Sequence, residues 1–338
     1  MKISVTMPAY NAERFLAEAI ESILGQTFAD FELIVVNDGS TDDTLSIAES
    51  YAWRDHRVRV VTQPHGGISS GRNRGLAEAR GEWIAVMDAD DVSLPQRLER
   101  QFAFVEANPD IALACAYAYN IDDSGKIIAQ FRSPLTDRAV VRDRIERNEA
   151  IGFHHSAVLM RRDVVQSIGG YREQFDGIED CDLWNRFAET GHGVLVQPEY
   201  LVKYRLHGKS HTISRVRQLT LRRQWLNDCM RHRRRDAAEP SWESFLARRG
   251  ALPWTTRLQQ ERTDLSWILY RQAVSAYLRG SHHSMLTNLS GALLLSPRRI
   301  SRRVWHRYLE PRLTGRLIEP EGDANGPRLL PSASDAPR

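Results

Sequence analysis

Trp83-Ile84-Ala85-Val86-Met87-Asp88-Ala89-Asp90-Asp91 is the stretch of this 338-residue chain that decides the fold. Five apolar residues run directly into a cluster of three carboxylates. A continuous apolar run is typical of a strand buried on both faces of a parallel sheet. Ligands of such sheets bind outside the carboxyl ends of the strands. The stretch therefore predicts a buried strand that ends in an acidic, ligand-facing turn.

The residues before this stretch repeat a strand followed by a helix. We predict strands over Ile3–Met7, Phe31–Val36 and Val58–Val61, each followed by a helix. Alternation of strands and helices with short connections predicts an α/β fold with a largely parallel sheet. Polar segments at Pro8–Asn11 and Asn37–Ser40 follow the first two strands, so we expect them to meet the acidic cluster at one edge of the sheet.

Patterns in the next hundred residues are weaker. Ile111–Tyr119 predicts a strand, and Ile178–Glu189 predicts an amphipathic helix. Val194–Val196 and Tyr200–Tyr204 predict two short strands. Residues 120–150 show little periodicity, which predicts an irregular segment at the edge of the sheet.

The acidic cluster favours a cation site. Asp88 and Asp90 point the same way in an extended segment because side chains alternate along a strand. Neighbouring carboxylates repel each other unless a cation lies between or beside them, and oxygen ligands favour Mg²⁺ or Mn²⁺. The alternative is an acidic turn that caps the next helix. Two other polar strand ends on the same edge favour the cation.

Several motifs, in order and at the expected spacing, resemble those of glycosyltransferase family 2, the inverting transferases of GT-A fold. The resemblance covers about residues 1–212 and rests on Met7-Pro8-Ala9-Tyr10-Asn11, Gln26-Thr27-Phe28, the segment from Glu32 to Asp42, Arg72-Asn73-Arg74-Gly75 and Asp88-Ala89-Asp90-Asp91. It implies a Rossmann-like, nucleotide-binding mixed sheet flanked by helices. It also implies transfer of a sugar from a nucleotide-diphosphate donor.

The resemblance implies a donor site at the strand ends. Tyr10 would pack on the base beside the backbone of Pro8 and Ala9, and Glu13 would line the same pocket. The other implied donor contacts are Asp38 at the base edge, Arg72 and Asn73 near the base or phosphates, and Asp88 with Ala89 at the ribose or cation. Ordinary structural roles remain open, including a turn aspartate at 38 and a local ion pair for Arg72.

The cation and the acceptor come next in the resemblance. Asp90 would bind the metal directly, with Asp88 and, from a later loop, His207 as further ligands. Glu179-Asp180 at the start of a helix would form the acceptor side. Inverting transfer needs one base, for which we predict Asp180, with Glu179 as its neighbour and the alternative candidate. Acids favoured by the helix dipole would produce the same pair.

Charge divides the chain. Residues 1–212 carry a net charge of −9, whereas residues 213–316 carry +14 with 21 arginines and no lysine. A helix beginning at Ser296-Pro297 would place Ile300, Val304 and Tyr308 on one side and arginines on the other.

A basic amphipathic helix that also contains Trp305 predicts an interfacial element on an anionic membrane. The alternative is a solvated face that packs on the protein itself. No nucleic-acid motif accompanies the arginines, so we expect no nucleic-acid partner.

These patterns predict three regions. A GT-A catalytic domain covers residues 1–212, with a nucleotide-sugar half over 1–110 and an acceptor half over 111–212. A helical, arginine-rich extension follows over 213–318. Residues 319–338 have too little apolar content to fold and predict a disordered tail.

Cysteine usage and apolar runs predict the compartment. Three widely spaced cysteines make neither a disulfide framework nor a zinc site, which favours a reducing compartment. Met1–Tyr10 lacks the apolar core of a signal peptide, and no run is long enough to span a bilayer. We therefore expect a cytoplasmic enzyme, peripheral on the inner membrane.

The predicted function is an inverting, metal-dependent glycosyltransferase of cell-surface polysaccharide biosynthesis. UDP is the expected carrier, with GDP and dTDP open, and the acceptor is a saccharide or a lipid-linked sugar. One alternative is a sugar-nucleotide nucleotidyltransferase, which would need a glycine-rich, lysine-containing loop after the first strand. The other is a non-catalytic GT-A-like membrane adaptor, which missing carboxylates would favour.

Overall fold

A computed structural model describes residues 1–206, 216–278, 280–304 and 328–329. The chain divides into two compact units, the first over Met1–Leu206 and the second beginning at His207. The predicted metal ligand His207 lies outside the described residues. So does the predicted tail, apart from the two-residue strand at 328–329.

The first unit alternates strands and helices. Its strands are β1 (Ile3–Ala9), β2 (Phe31–Asp38), β3 (Val58–Gln63), β4 (Trp83–Val86), β5 (Val92–Ser93), β6 (Ile111–Ile121), β7 (Ile127–Phe131), β8 (Val158–Arg161) and β9 (Gly193–Arg205). Its helices are α1 (Leu16–Leu24), α2 (Thr44–Arg54), α3 (Ile68–Glu78), α4 (Arg97–Glu106), α5 (Arg138–Glu146), α6 (Arg162–Ser167) and α7 (Glu179–Glu189).

These strands form one mixed sheet in the order β7-β6-β8-β4-β1-β2-β3, with β9 beside β6 and β5 beside β9. The pairs β4–β1, β1–β2 and β2–β3 are parallel, as predicted from the strand and helix alternation. Strand β8 runs antiparallel to β4 and β6. Parallel neighbours end at the same edge, so the carboxyl ends of β4, β1 and β2 lie side by side.

Alternation along the buried strands separates two apolar cores. Ile84 and Val86 of β4 face a core that contains Trp184 of α7, whereas Trp83 and Ala85 face the core of α1 and α4. All eight residues of β2 are buried, as its apolar run predicts. The sheet is therefore covered by helices on both faces.

Some sequence expectations for the acceptor half were wrong. Residues 120–150 are not irregular, because β7 pairs antiparallel with β6 and Asp137 caps α5 by accepting the Ala139 N–H at 2.7 Å. The two short strands expected over 194–204 are one strand, β9, whose pairing with β6 contains register shifts. A bulged strand interrupts the two-residue period on which the expectation rested.

The second unit is helical in its described part. It contains α8 (Val216–Arg233), α9 (Trp242–Gly250), α10 (Trp254–Leu278), α11 (His282–Leu295) and α12 (Pro297–Val304), and the strand β10 is Arg328–Leu329. No helix in the described ranges is long and apolar enough to cross a membrane.

The apolar side of α12 is used inside its own unit. Ile300 is fully buried and forms a small core with Tyr270 of α10 and Ala292 of α11, and Val304 packs against it. The expectation that this side of α12 faces a lipid surface is therefore wrong for Ile300 and Val304, because neighbouring helices cover it. Tyr308 and Trp305 lie outside the described residues.

Candidate active site

The ends of β1 and β2 form an aromatic and acidic wall. Tyr10 is 45% exposed and stacks on the ring of His65, with 3.9 Å between ring centroids. Nδ1 of His65 lies 2.8 Å from Oδ2 of Asp38. Pro8 is half-buried and Ala9 is buried at the end of β1. The predicted base-binding residues Pro8, Ala9, Tyr10 and Asp38 thus lie at one edge of the sheet.

Asp38 organises the loop that leads into α3. Its buried carboxylate accepts hydrogen bonds from the side-chain amide of Gln63 at 2.6 Å and from the backbone N–H groups of Gly66 and Gly67 at 3.0 and 3.1 Å. Gly39 follows with a φ of +69°, and a Cβ there would lie 2.7 Å from the backbone nitrogen of His65. Only glycine fits this approach.

Two predicted donor residues have clear structural contacts. Glu13 is exposed and accepts a hydrogen bond from the backbone N–H of Asp43 at 3.2 Å, which ties the start of α1 to α2. The carboxamide of Asn73 donates to the carbonyl of Tyr171 at 2.7 Å and accepts from its N–H at 2.8 Å. Both ends of the Asn73 amide are thereby used in holding the segment of Tyr171.

Arg72 connects the two halves of the site. It is buried on α3, where Nη2 lies 3.1 Å from Oδ1 of Asp88 after β4 and Nη1 pairs with Oε1 of Glu179 at the start of α7. Its guanidinium carbon lies 5.6 Å from the ring centroid of Tyr171. The local ion pair left open by the sequence is therefore present, and it joins a predicted donor acid to a predicted acceptor acid.

Asp176 sets the spacing between those two helices. Its carboxylate accepts a hydrogen bond from the backbone N–H of Ser69 at 3.2 Å and also contacts the Ser69 hydroxyl. The start of α3 is thus tied to the segment that enters α7, which keeps Arg72 within reach of Glu179.

Burial and this ion pair set the protonation of the cluster. Burial raises the pKa of Asp88, but Arg72 and His155 outweigh it and hold that pKa far below its usual range. Burial lowers the pKa of Arg72, and Glu179 and Asp88 more than offset the effect. Burial raises the pKa of Glu179 to about 7, although Arg72 opposes the shift.

His155 and Tyr171 extend the cluster into the core. Nδ1 of His155 lies 3.3 Å from Oδ1 of Asp88, and Nε2 lies 2.9 Å from the Tyr171 hydroxyl. Burial, helped by Arg72, lowers the pKa of His155. Neither residue is among the site residues predicted from the sequence, where His155 was considered only as a possible acceptor contact. The only available signal was the His154-His155 pair, because Tyr171 belongs to no recognisable motif.

Asp90 and Asp91 differ in exposure. Asp90 is half-buried, and its carbonyl accepts a hydrogen bond from Nε of Arg205 at 2.8 Å. Asp91 is buried, and its Oδ1 accepts the Arg205 N–H at 2.7 Å while Oδ2 has no hydrogen-bond partner among the described residues. Burial, with Asp90 and Asp88 nearby, raises the pKa of Asp91 well above its usual range.

The residues at the end of β4 fit a hard divalent cation. Asp88 and Asp90 could supply carboxylate oxygens, and Ala89 between them is buried. Within the described ranges no three His, Cys, Asp or Glu side chains form a complete metal cage. Mg²⁺ and similar ions commonly take one or two carboxylates and complete their shell with substrate phosphates and water. The donor set is of that kind.

Asp180, the acid predicted as the base on the acceptor side, is half-buried. It lies in the first turn of α7, and its Oδ1 accepts the backbone N–H of Cys181 at 2.6 Å. It forms no ion pair within the described part of the chain, whereas Glu179 is buried and held by Arg72. Of the two predicted acids, Asp180 is therefore the one that is partly exposed to solvent.

Comparison with known proteins identifies similar chains. A model of glycosyl transferase family 2 matches residues 4–169. The chain is 30% identical over 234 residues to an uncharacterized glycosyltransferase of Methanocaldococcus jannaschii, covering 67% of this chain and 80% of that protein. It is 35% identical over 208 residues to the putative glycosyltransferase EpsE of Bacillus subtilis, covering 60% and 73%.

A third relative is the O-antigen biosynthesis glycosyltransferase WbnJ of Escherichia coli, 31% identical over 217 residues, covering 62% of this chain and 81% of that protein. Two solved structures share the fold. S. aureus TarS in complex with UDP-GlcNAc gives a TM-score of 0.53 at 17% identity, covering 89% and 92% of the two chains. The mannosyltransferase PcManGT from Pyrobaculum calidifontis with GDP-Man and Mn²⁺ gives 0.52 at 18%, covering 87% and 86%.

Proposed function

The chain belongs to glycosyltransferase family 2 and is a glycosyltransferase of GT-A fold, and on that premise we propose that it transfers a sugar, with inversion, from a nucleoside-diphosphate sugar to a saccharide or lipid-linked acceptor. The relative named for O-antigen biosynthesis supports a role in cell-surface polysaccharide synthesis. The donor is a UDP-sugar in this proposal, as in the TarS complex, and a GDP-sugar is the alternative that the PcManGT complex suggests.

One observation carries the proposal. Arg72 is in contact with both Asp88, which belongs to the donor end of the sheet, and Glu179, the neighbour of Asp180. A donor held at the end of β4 and an acceptor held at the start of α7 would therefore lie on the two sides of the buried Arg72 guanidinium. That is the arrangement that transfer between two substrates requires.

The donor is bound by the strand ends. The ring of Tyr10, stacked on His65, offers a face for the base, and Asp38 lies beside it at the end of β2. Asp88 and Asp90 would hold a divalent cation, Mn²⁺ or Mg²⁺. The chemistry that such a cation would supply there is positive charge next to the departing nucleoside diphosphate.

Asp180 performs the proton transfer. Its carboxylate takes the proton of the acceptor hydroxyl while the hydroxyl oxygen bonds to the anomeric carbon. At the same time the bond between the anomeric carbon and the diphosphate oxygen breaks. Attack from the face opposite the diphosphate inverts the configuration. Glu179 holds its place through Arg72 and the Gly177 N–H, 2.6 Å from Oε2, and so positions the first turn of α7.

The alternatives lack support in the chain. A sugar-nucleotide nucleotidyltransferase would need a glycine-rich loop with a lysine after β1, and Pro8–Asn11 contains neither residue type. A non-catalytic adaptor disagrees with membership in a family of enzymes, and Asp88, Asp90 and Asp180 are all present.

The base assignment is tested by Asp180→Asn, with Glu179→Gln as the matched neighbour. We expect Asp180→Asn to bind UDP-sugar and Mn²⁺ as the wild type does by calorimetry, but to lose about 100-fold or more in nucleoside-diphosphate release with acceptor, since general-base catalysis contributes about that much. Glu179→Gln should retain more turnover than Asp180→Asn. Near-normal turnover in Asp180→Asn would make the assignment wrong.

A further inference from the structure

Exposed apolar side chains are concentrated in the helical second unit. Of the ten large apolar side chains exposed in the described part of the chain, seven belong to this unit: Leu246, Trp254, Leu258, Leu265, Tyr277, Leu286 and Leu294. The same unit holds most of the excess arginine of the sequence. Soluble surfaces rarely leave several large apolar groups together without a partner.

Four of these side chains form one surface, here named the α10–α11 patch: Trp254, Leu258, Leu265 and Leu294. The first three are spaced by four and seven residues along α10, so they share one side of the helix. Leu294 comes from the end of α11, which lies beside them because Nη2 of Arg262 donates to the Leu295 carbonyl at 2.9 Å. The exposed fractions of Trp254 and Leu294 are 70% and 83%.

Arginines border the patch. Arg257 and Arg262 are exposed on α10 within one turn of Leu258. One exposed acid, Glu261, lies among them. The surface is therefore apolar at its centre and predominantly cationic around it.

The helices do not need the patch for their own packing. Tyr270 and Ala292 face the opposite way, into the core that also buries Ile300, and the Ser266 hydroxyl donates to the Ala292 carbonyl at 2.9 Å inside that core. The side chains of the patch remain exposed although α10, α11 and α12 pack on one another.

We infer that the α10–α11 patch docks on the anionic surface of a lipid membrane. Exposed Trp and Leu side chains bury in the region between headgroups and acyl chains, while neighbouring arginines meet anionic headgroups. A second copy of the chain fits less well, since a symmetric contact would bring the arginines of one copy against those of the other. The inference goes beyond sugar transfer and does not rest on it, because docking is measured without substrate.

The test uses the full chain and co-sedimentation with vesicles. Vesicles contain phosphatidylcholine alone, or phosphatidylcholine with about one third phosphatidylglycerol to give the negative surface potential of an anionic leaflet. We expect at least about tenfold tighter binding to the anionic vesicles, weakening as salt screens the arginines. Equal binding to both vesicle types, or binding to neither, would overturn the inference.

Two variants and a control locate the surface. Leu258→Gln/Leu265→Gln removes apolar area at exposed positions, and Arg257→Gln/Arg262→Gln removes charge. Each should weaken anionic-vesicle binding about tenfold or more without changing thermal unfolding. Trp53→Gln is the control, because Trp53 is 89% exposed on α2 of the first unit, and it should bind as the wild type does.

Light scattering tests the alternative that a second copy of the chain covers the patch. If Leu258→Gln/Leu265→Gln converts a wild-type dimer to a monomer and leaves vesicle binding unchanged, the patch is an interface between copies and the inference is wrong. If the Trp53→Gln control loses vesicle binding as strongly, the docking surface lies elsewhere and the inference is also wrong.

Discussion

Arg72 pairs with two carboxylates of the first unit that come from different elements. It is buried between the carboxylates of Asp88 and Glu179. Replacing it with an apolar residue of similar length would leave the buried Glu179 and the partly buried Asp88 without their arginine partner. Breaking a buried ion pair on one side costs about 3–5 kcal/mol. We therefore predict that Arg72→Met lowers the free energy of unfolding by about that amount, measured by urea denaturation.

A double variant separates charge from packing. Arg72→Met/Glu179→Gln removes one of the two uncompensated carboxylates, so we expect it to recover part of the lost stability. If Arg72→Met is as stable as the wild type, or if the double variant recovers nothing, the ion pair does not stabilise the fold as the contacts suggest.

His154 gives a prediction for pH. Its ring lies between Tyr204 and Phe131, with centroid distances of 4.5 and 4.2 Å, and burial lowers its pKa from 6.5 to about 3. Between those two pH values the unfolded chain binds a proton that the folded chain does not. Stability should therefore fall as the pH drops below 6.5, by about 1.4 kcal/mol per pH unit from this group.

His154→Phe checks this slope. Phenylalanine keeps an aromatic ring between Tyr204 and Phe131 but cannot take up a proton. The free energy of unfolding, measured by denaturant titration from neutral pH to pH 4, should fall less steeply in the variant. If the free energy of unfolding falls equally steeply with decreasing pH in both proteins, His154 does not cause the loss of stability in acid.

Sequence reasoning located individual acids better than their partners. Asp38, Asp88 and Asp180 were placed because they follow buried strands or open a helix, and these are local patterns. The contact between Arg72 and Glu179 joins residues 107 positions apart, which no periodicity reports. The hydrogen bonds of Asn73 to Tyr171, 98 residues away, were missed for the same reason.

At the scale of secondary-structure elements, β9 and the loop after β4 are joined by Arg205. Its Nε donates to the Asp90 carbonyl at 2.8 Å, its backbone N–H to Asp91 Oδ1 at 2.7 Å, and its Nη2 to Glu18 at 2.6 Å. The side chain is almost fully buried. Arg205 thus fixes the backbone that carries the proposed metal ligand Asp90.

Loss of this support should weaken metal binding. We predict that Arg205→Met lowers the affinity for Mn²⁺, measured by calorimetry with UDP present, by about 10-fold or more, as loss of groups that orient metal ligands typically does. Arg14→Met is the control, since Arg14 makes an exposed ion pair with Asp123. Equal Mn²⁺ affinity in a folded Arg205→Met protein would contradict the prediction.

Strands and helices could be predicted from the sequence where their buried residues form a continuous apolar run or recur at one regular spacing. β2 and β4 are continuous apolar runs, and α7 buries Leu183, Trp184 and Phe187 as its spacing indicates. The strand β9 was divided in two because its register shifts against β6 break the period. The apolar side of α12 was recognised, but the sequence does not tell a helix that faces lipid from one that faces Tyr270 and Ala292.

The whole chain separates its charge into two parts. Residues 1–212 are net acidic, in keeping with the proposal that carboxylates there bind a cation, whereas residues 213–316 carry the net positive charge. This separation was visible in the composition. The helical packing of the second unit was not, because long arginine-rich helices show only weak apolar periodicity. The distribution of charged residues therefore indicates what kind of ligand each part would bind, but it does not predict how the helices of the second unit pack.

The two units should be separable in function. Both large cores lie within residues 3–202, so we predict that a fragment of residues 1–206 folds alone and unfolds in one cooperative thermal transition, followed by circular dichroism. The fragment lacks the α10–α11 patch and its arginines, so it should not sediment with anionic vesicles that capture the full chain. A fragment that melts without cooperativity, or one that binds vesicles as the full chain does, would show that folding or docking is shared between the units.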